Sequence, residues 1–190
     1  MHTLFTRLAI LITVAILTSC SNGAQALQPA GIEGPAVEIS DLLQSGDLEA
    51  SIDTSTTSIL QAINVRRAEA AAPALISHPV LDELASLRAA DLTTRGYLTH
   101  EDPSSGETIV KRSLAELNYS GPAGELLFAA QDPLDSVPEK VIAAWFDDPM
   151  HKALLLEPTF RYCGIGLMGD GESWKISLVL TVALPEEVGS

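Results

Sequence analysis

The fold of this chain is decided by the stretch Tyr162-Cys163-Gly164-Ile165-Gly166-Leu167-Met168, an apolar run of strand length. Gly169-Asp170-Gly171 follows it and predicts a tight turn, because glycine and aspartate favour the backbone angles that turns need. A second apolar run then extends from Trp174 to Val182. The two runs predict an antiparallel hairpin. Three alternating residues of the second run share one face of its strand: Ile176, Leu178 and Leu180.

Upstream of the hairpin, the apolar residues recur mostly at helical spacing. The first predicted helix has Thr57 or Ser58 as its cap and ends at Ala71-Ala72-Pro73. Further helices are predicted over residues 81–95, 108–117, 136–148 and 151–156, and residues 125–130 predict a third strand. Helices on both sides of these strands predict the α+β class, as a three-layer α-β-α sandwich with a small antiparallel sheet.

Composition limits the classes of protein that fit. The chain has 190 residues, which suits one domain with tails, and 46% of them are hydrophobic, which is enough for a core. Its net charge of −14 repels phosphate backbones, so nucleic acid is excluded as a partner. There are 2 cysteines, Cys20 and Cys163, and lipid on the first would leave no disulfide framework in the folded domain.

Residues 1–19 have the features of a bacterial signal peptide. Arg7 gives a basic start, and the apolar run that follows is too short to remain as a transmembrane helix. The run ends in Leu17-Thr18-Ser19-Cys20, which resembles the lipobox of bacterial lipoproteins. This predicts a lipid anchor on Cys20 and a membrane-bound location in the cell envelope, at the outer membrane in a Gram-negative cell. Secretion after cleavage at Ala24-Gln25-Ala26 is the alternative.

The predicted domain boundaries follow from a change in composition. Residues 20–57 are rich in Ser, Gly, Ala, Pro, Asp and Glu, which predicts a flexible tether, and the apolar spacing of residues 37–48 is compatible with a short helix within it. The folded domain is predicted over residues 58–184. Residues 185–190 form a short tail.

Two histidines and two acids carry the strongest chemistry in the chain. They are His100, Glu125, Asp148 and His151. Imidazole nitrogens and carboxylate oxygens suit zinc or another divalent ion, and the same groups act as acid–base partners when they line one pocket. Glu125 lies in an apolar segment, where a carboxylate needs an imidazolium, a metal or backbone donors beside it. The alternative role for Asp148 is a cap on the helix that begins near His151.

Several phrases occur in the order typical of one known family. They are Asn64-Val65-Arg66-Arg67, Tyr97 to His100, Gly124-Glu125, Trp145 to Lys152 and Phe160 to Gly166. Together they resemble the CAP superfamily of cysteine-rich secretory, antigen 5 and pathogenesis-related proteins, in its short, cysteine-poor bacterial form. The resemblance implies the three-layer fold and a central cleft lined by His100, Glu125, Asp148 and His151, with zinc as the expected ion.

The sequence departs from the family pattern at three positions. Leu126 stands where the family usually has Asn, which removes a polar group beside Glu125. Asp148 stands where bacterial members often have Ser, which adds a second carboxylate to the predicted cleft. Cys163 replaces a valine, an exchange of small apolar groups.

The expected function is binding rather than turnover, because no pattern points to a nucleophile. There is no G-x-S-x-G turn, and His100-Glu101 begins a zincin-like pair whose second histidine is replaced by Ser104. The resemblance implies a lipid, glycan or protein ligand. The alternative is a hydrolase, either a protease or an esterase, that uses the same cleft. A purely structural envelope domain is the second alternative.

Overall fold

The computed structural model of the chain describes residues 39–169 and 171–185, with side chains from residue 46 onward. Cys20 and the rest of the predicted signal peptide lie outside these residues, as does most of the predicted tail. Within them, no helix combines the length and the apolar character that a membrane crossing requires.

Five α-helices and four strands form the described part of the chain, with one 3₁₀ turn at Leu134–Ser136. The helices are α1 (Ile39–Glu69), α2 (Pro79–Arg95), α3 (Ile109–Glu116), α4 (Val137–Asp147) and α5 (Pro149–Leu156). The strands are β1 (Ile76–Ser77), β2 (Ala123–Ala130), β3 (Tyr162–Gly169) and β4 (Trp174–Thr181). The predicted hairpin and third strand are therefore confirmed.

The sheet has the order β1-β3-β4-β2, with β3–β4 and β4–β2 antiparallel. The edge strand β1 runs parallel to β3, which the sequence did not predict because two residues carry no periodicity. Leu178 packs with side chains of α1, α4 and α5, whereas its neighbour Val179 packs with α2 and α3. Since successive residues of a strand point to opposite faces, the sheet lies between two helical layers, and the predicted α-β-α sandwich is confirmed.

Two glycines of β3 let α2 lie directly on the sheet. A Cβ atom at Gly164 would lie 2.0 Å from the carbonyl carbon of Leu81, and one at Gly166 would lie 2.1 Å from the carbonyl oxygen of Ala85. Any side chain at these positions would push the helix away from the strand. The alternating glycines therefore set the distance between α2 and β3.

Helix α1 begins far earlier than the sequence predicted. Residues 39–57, which were expected to belong to a tether, are helical, and Thr57 and Ser58 lie inside the helix instead of capping it. Hydroxyl groups of the polar segment donate to carbonyls four residues earlier, for example Ser51 to Asp47 at 2.8 Å and Thr54 to Ala50 at 2.8 Å. These bonds satisfy the polar side chains within the helix, and Ile52 packs against the core. A composition typical of linkers thus folds as a helix.

The phrase Asn64-Val65-Arg66-Arg67 has a structural role. The Asn64 side chain donates to the Leu75 carbonyl at 3.0 Å and accepts from the Leu75 N–H at 2.8 Å. Arg67 is fully buried and donates to the carbonyls of Pro73, Leu155 and Phe160. Desolvation lowers the pKa of Arg67, but these acceptors compensate for the loss of water. The two side chains therefore fix the loops around β1 and before β3 to α1.

Candidate functional site

His100 and Glu125 form a hydrogen-bonded pair. Gly96 ends α2 with a left-handed φ of 70°, and the chain then returns along the helix and brings His100 to β2. The Nδ1 atom of His100 lies 2.7 Å from Oε2 of Glu125, a residue of β2. The Glu125 side chain is 5% exposed, whereas that of His100 is 51% exposed. The hydrogen bond to Glu125 raises the pKa of His100, so the imidazolium form is favoured.

Arg88 holds the other oxygen of Glu125. Its Nε donates to Oε1 at 2.8 Å, and the arginine side chain is only 1% exposed. The guanidinium also donates to the Tyr97 hydroxyl at 2.7 Å and to the Thr99 carbonyl. Arg88 is the cation that a buried Glu125 carboxylate requires. Arg88 was not predicted as a partner of Glu125, although its helical spacing from Leu81, Leu84 and Ala85 places it on the buried face of α2.

An outer network fixes the segment that carries His100. Asp91 accepts hydrogen bonds from Arg88, from Arg95 and from the Tyr97 hydroxyl. Arg95 also donates to Asp102 at 2.8 Å and lies over the Tyr97 ring, 5.0 Å from its centre. Arg95 holds the pKa of the Asp102 carboxyl well below its usual range. The segment is thus tied to α2 both before and after His100.

Asp148 and His151 form the second pair. Asp148 has extended backbone angles between α4 and α5, and its Oδ1 accepts from the N–H groups of Met150 and His151 at 2.9 and 2.8 Å. These bonds lower the pKa of Asp148, and the predicted capping role is confirmed. The His151 Nδ1 lies 3.5 Å from the same oxygen. Pro149 is the first residue of α5, so this helix begins earlier than the predicted His151.

Strand β2 carries the acid of the first pair and lies next to α5, the helix of the second pair. Glu125 faces α2, and the adjacent Gly124 faces α5, where a Cβ atom would lie 3.0 Å from the Leu154 side chain. Leu154 is one helical turn beyond His151. In the described residues, each histidine contacts its own acid, and no hydrogen bond or ion pair joins one pair to the other. A single cleft lined by all four side chains stays a prediction.

The carboxylate oxygens of the two pairs already have hydrogen-bond partners. Both oxygens of Glu125 are engaged, by Arg88 and by His100, and Oδ1 of Asp148 is engaged in the cap of α5. Across residues 39–169 and 171–185, no group of three or more His, Cys, Asp and Glu side chains is arranged to hold an ion. A divalent ion bound by the Glu125 carboxylate would share it with Arg88 and His100.

Comparison with known proteins identifies the family. The profile of the cysteine-rich secretory protein family, CAP, matches residues 60–184. The uncharacterized protein YkwD of Bacillus subtilis (strain 168) is 23% identical over 125 residues, which cover 66% of this chain and 47% of that protein. The chain therefore spans about half the length of this curated relative.

Solved structures share the fold at low sequence identity. An outer surface protein of Borrelia burgdorferi is 18% identical with a TM-score of 0.56, over 67% of this chain and 92% of that one. A cysteine-rich secretory protein of Staphylococcus aureus is 16% identical with a TM-score of 0.53, over 69% and 39%. An extracellular SCP-domain protein of Bacillus anthracis is 20% identical with a TM-score of 0.51, over 69% and 40%. Because the family profile covers more than half of the residues, this chain belongs to the CAP family of cysteine-rich secretory proteins.

Proposed function

We propose that this protein is a binding module of a bacterial cell envelope and that its ligand contacts His100. One observation carries the proposal: the His100 ring is held by a buried ion pair, yet half of the side chain remains exposed. A rigid, accessible polar group with a fixed orientation is suited to recognition.

The hydrogen bond to Glu125 determines how His100 contacts a ligand. An ionised carboxylate only accepts, so Nδ1 of His100 carries the hydrogen and Nε2 faces the ligand. Because Glu125 raises the pKa of His100, Nε2 also tends to carry a hydrogen. The ring therefore donates to an oxygen of the ligand, such as a carbonyl, hydroxyl or carboxylate oxygen.

A hydrolase is less well supported, because no nucleophile is paired with either histidine. In the described residues, the only side-chain partner of His100 is Glu125 and that of His151 is Asp148. Burial raises the pKa of the Cys163 thiol to about 12, so it stays protonated and inaccessible. The nearby Thr99 hydroxyl donates to the Glu101 carbonyl.

A divalent cation, with zinc as the first choice, is a second proposal for the same residues. Two partly exposed imidazoles that each lie beside a carboxylate favour it, and the engagement of Glu125 by Arg88 opposes it. Calorimetric titration of the wild type and of His100→Gln and His151→Gln with zinc tests this proposal. Saturable binding that both substitutions weaken would support it, and absence of saturable binding to the wild type would remove it.

Anchoring through Cys20 is the proposed route to the envelope. Two of the structural neighbours are an outer surface protein and an extracellular protein, which is consistent with this location. Expression in bacteria with labelled palmitate should label the wild type, and Cys20→Ala should remove the label. An unlabelled wild type in a competent host would contradict anchoring.

The binding role is tested with envelope material. The protein is incubated with peptidoglycan and with phospholipid vesicles, and the sedimented fraction is compared for wild type, His100→Gln and His78→Gln. His78 is the matched control, because it lies at the start of α2 and its side chain contacts neither pair. We expect His100→Gln alone to lower binding several-fold, while its melting temperature falls only slightly because the His100 side chain is half exposed. Equal binding by all three proteins would contradict the proposal, and His100-dependent cleavage of an ester or peptide would favour the hydrolase.

A further inference from the structure

A second candidate site lies between α2 and α3, on the side of α2 next to the His100 network. It is a cavity of about 440 Å³, within the range of ~300–1,000 Å³ that small-molecule sites occupy. Its lining residues recur every three or four positions on both helices, so each helix presents one continuous face to it. The apolar part of the lining is formed by Val80, Leu84, Leu87, Ile109 and Leu117.

Leu87 marks the apolar part as accessible. Its side chain is 67% exposed, although it is adjacent to the buried Arg88 and lies one turn before Asp91. Leu84 lies three residues earlier on the same face and belongs to the core beneath. An apolar group that entered the cavity would therefore bury Leu87 and contact the core residue Leu84.

The charges around the cavity select the sign of the ligand. All three arginines in its lining are engaged: Arg88 with Glu125, Arg95 with Asp102, and Arg112 with Glu107. Glu83 of α2 and Glu116 of α3 also line the cavity. Their side-chain carboxylates form no hydrogen bond or ion pair with the described residues. The unpaired charge is thus negative on both walls, and the net charge of −14 disfavours anions further.

We propose that this cavity binds a small amphipathic ammonium ion, with its apolar chain on Leu84 and Leu87 and its cationic end beside Glu83 and Glu116. The site is distinct from the proposed ligand contact at His100. It accounts for an exposed leucine and two unpaired carboxylates that the first site does not use.

The probe is n-octylammonium, compared with octanesulfonate of the same chain length, in calorimetry and in amide NMR spectra of the full chain. We expect saturable binding of the ammonium ion, with shifts concentrated in α2 and α3, and weaker binding at high salt. The double substitution Glu83→Gln/Glu116→Gln should raise its Kd about fivefold, the value for two exposed ion pairs. Leu87→Gln should raise the Kd about three- to tenfold through lost apolar burial.

Leu48→Gln/Glu49→Gln is the matched control, because it makes the same two kinds of change on an exposed part of α1. It should leave the Kd unchanged. Octanesulfonate binding as tightly as octylammonium would overturn the proposal, because the charge argument would then be wrong. Absence of saturable octylammonium binding below 5 mM, or a Kd that neither cavity variant alters, would overturn it as well.

Discussion

Arg88→Met is expected to destabilise the fold by about 3–5 kcal/mol, the usual cost of removing one partner from a buried ion pair. The pair fits this case because the Arg88 and Glu125 side chains are 1% and 5% exposed. The substitution leaves Oε1 of Glu125 and the Thr99 carbonyl without their donor. Asp91 keeps Arg95 and the Tyr97 hydroxyl, so the loss is concentrated at Glu125 and Thr99.

Urea unfolding followed by fluorescence measures the effect, since Trp145 and Trp174 are both buried and change environment on unfolding. Arg95→Met is the matched control on the same helix, and a much smaller loss is expected because Arg95 is partly exposed. In the double variant Arg88→Met/Glu125→Gln, the losses should fall short of additivity by about 1–3 kcal/mol. A loss below ~1 kcal/mol for Arg88→Met would refute the buried-pair argument.

Three further outcomes are expected. Because Glu125 raises the pKa of His100, the stabilisation from their bond is fully present below the unfolded pKa of about 6.5 and is lost as the pH rises through the folded pKa. His100→Gln should therefore lower the free energy of unfolding more at pH 5 than at pH 9. In urea titrations at the two pH values, the difference should be less than ~1 kcal/mol. Gly164→Ala should cost about 3 kcal/mol or prevent folding, whereas Gly46→Ala, with open space around it, should be neutral or stabilising in thermal melts. In a Cys20→Ala background, Cys163 should react with a thiol reagent at pH 8 only after denaturant is added, and rapid native-state labelling would contradict its burial.

The His100 titration also separates two charges that act on one ring. Glu125 raises the pKa of His100, while the positive charge of Arg88 lowers it. NMR titration should therefore give a lower pKa in Glu125→Gln and a higher one in Arg88→Met. A pKa that changes in neither variant would mean that the ring does not contact the carboxylate in solution.

Local periodicity made much of the fold predictable. Helix α2 ends at Arg95, the last residue of the predicted range, and the β3–β4 hairpin follows from two apolar runs around a glycine turn. The early start of α1 was not predictable in this way, because Ser and Thr residues are typical of both linkers and exposed helix faces. Their bonds to carbonyls four residues earlier become visible only once the helix is formed.

The sequence predicted four residues of a candidate site and weighed the cap that Asp148 forms, but it did not predict the pairing of His100 with Glu125. The sequence identified His100, Glu125, Asp148 and His151, and the structure joins them as two separate pairs. His100 and Glu125 are 25 residues apart in the sequence. Helical or strand spacing carries no information about contacts at that separation.

One signal in the sequence could have identified Arg88. A helix face on which Leu81, Leu84 and Ala85 are buried places Arg88 in the same buried row, and a buried guanidinium requires carbonyl or carboxylate acceptors. A strand with a carboxylate among apolar residues, as in Gly124 to Leu127, requires a cation for the same reason. The buried guanidinium on α2 and the buried carboxylate on β2 could therefore have been matched with each other. Arg88 therefore supplies the positive charge that was expected beside Glu125, and an external cation at this carboxylate would share it with Arg88.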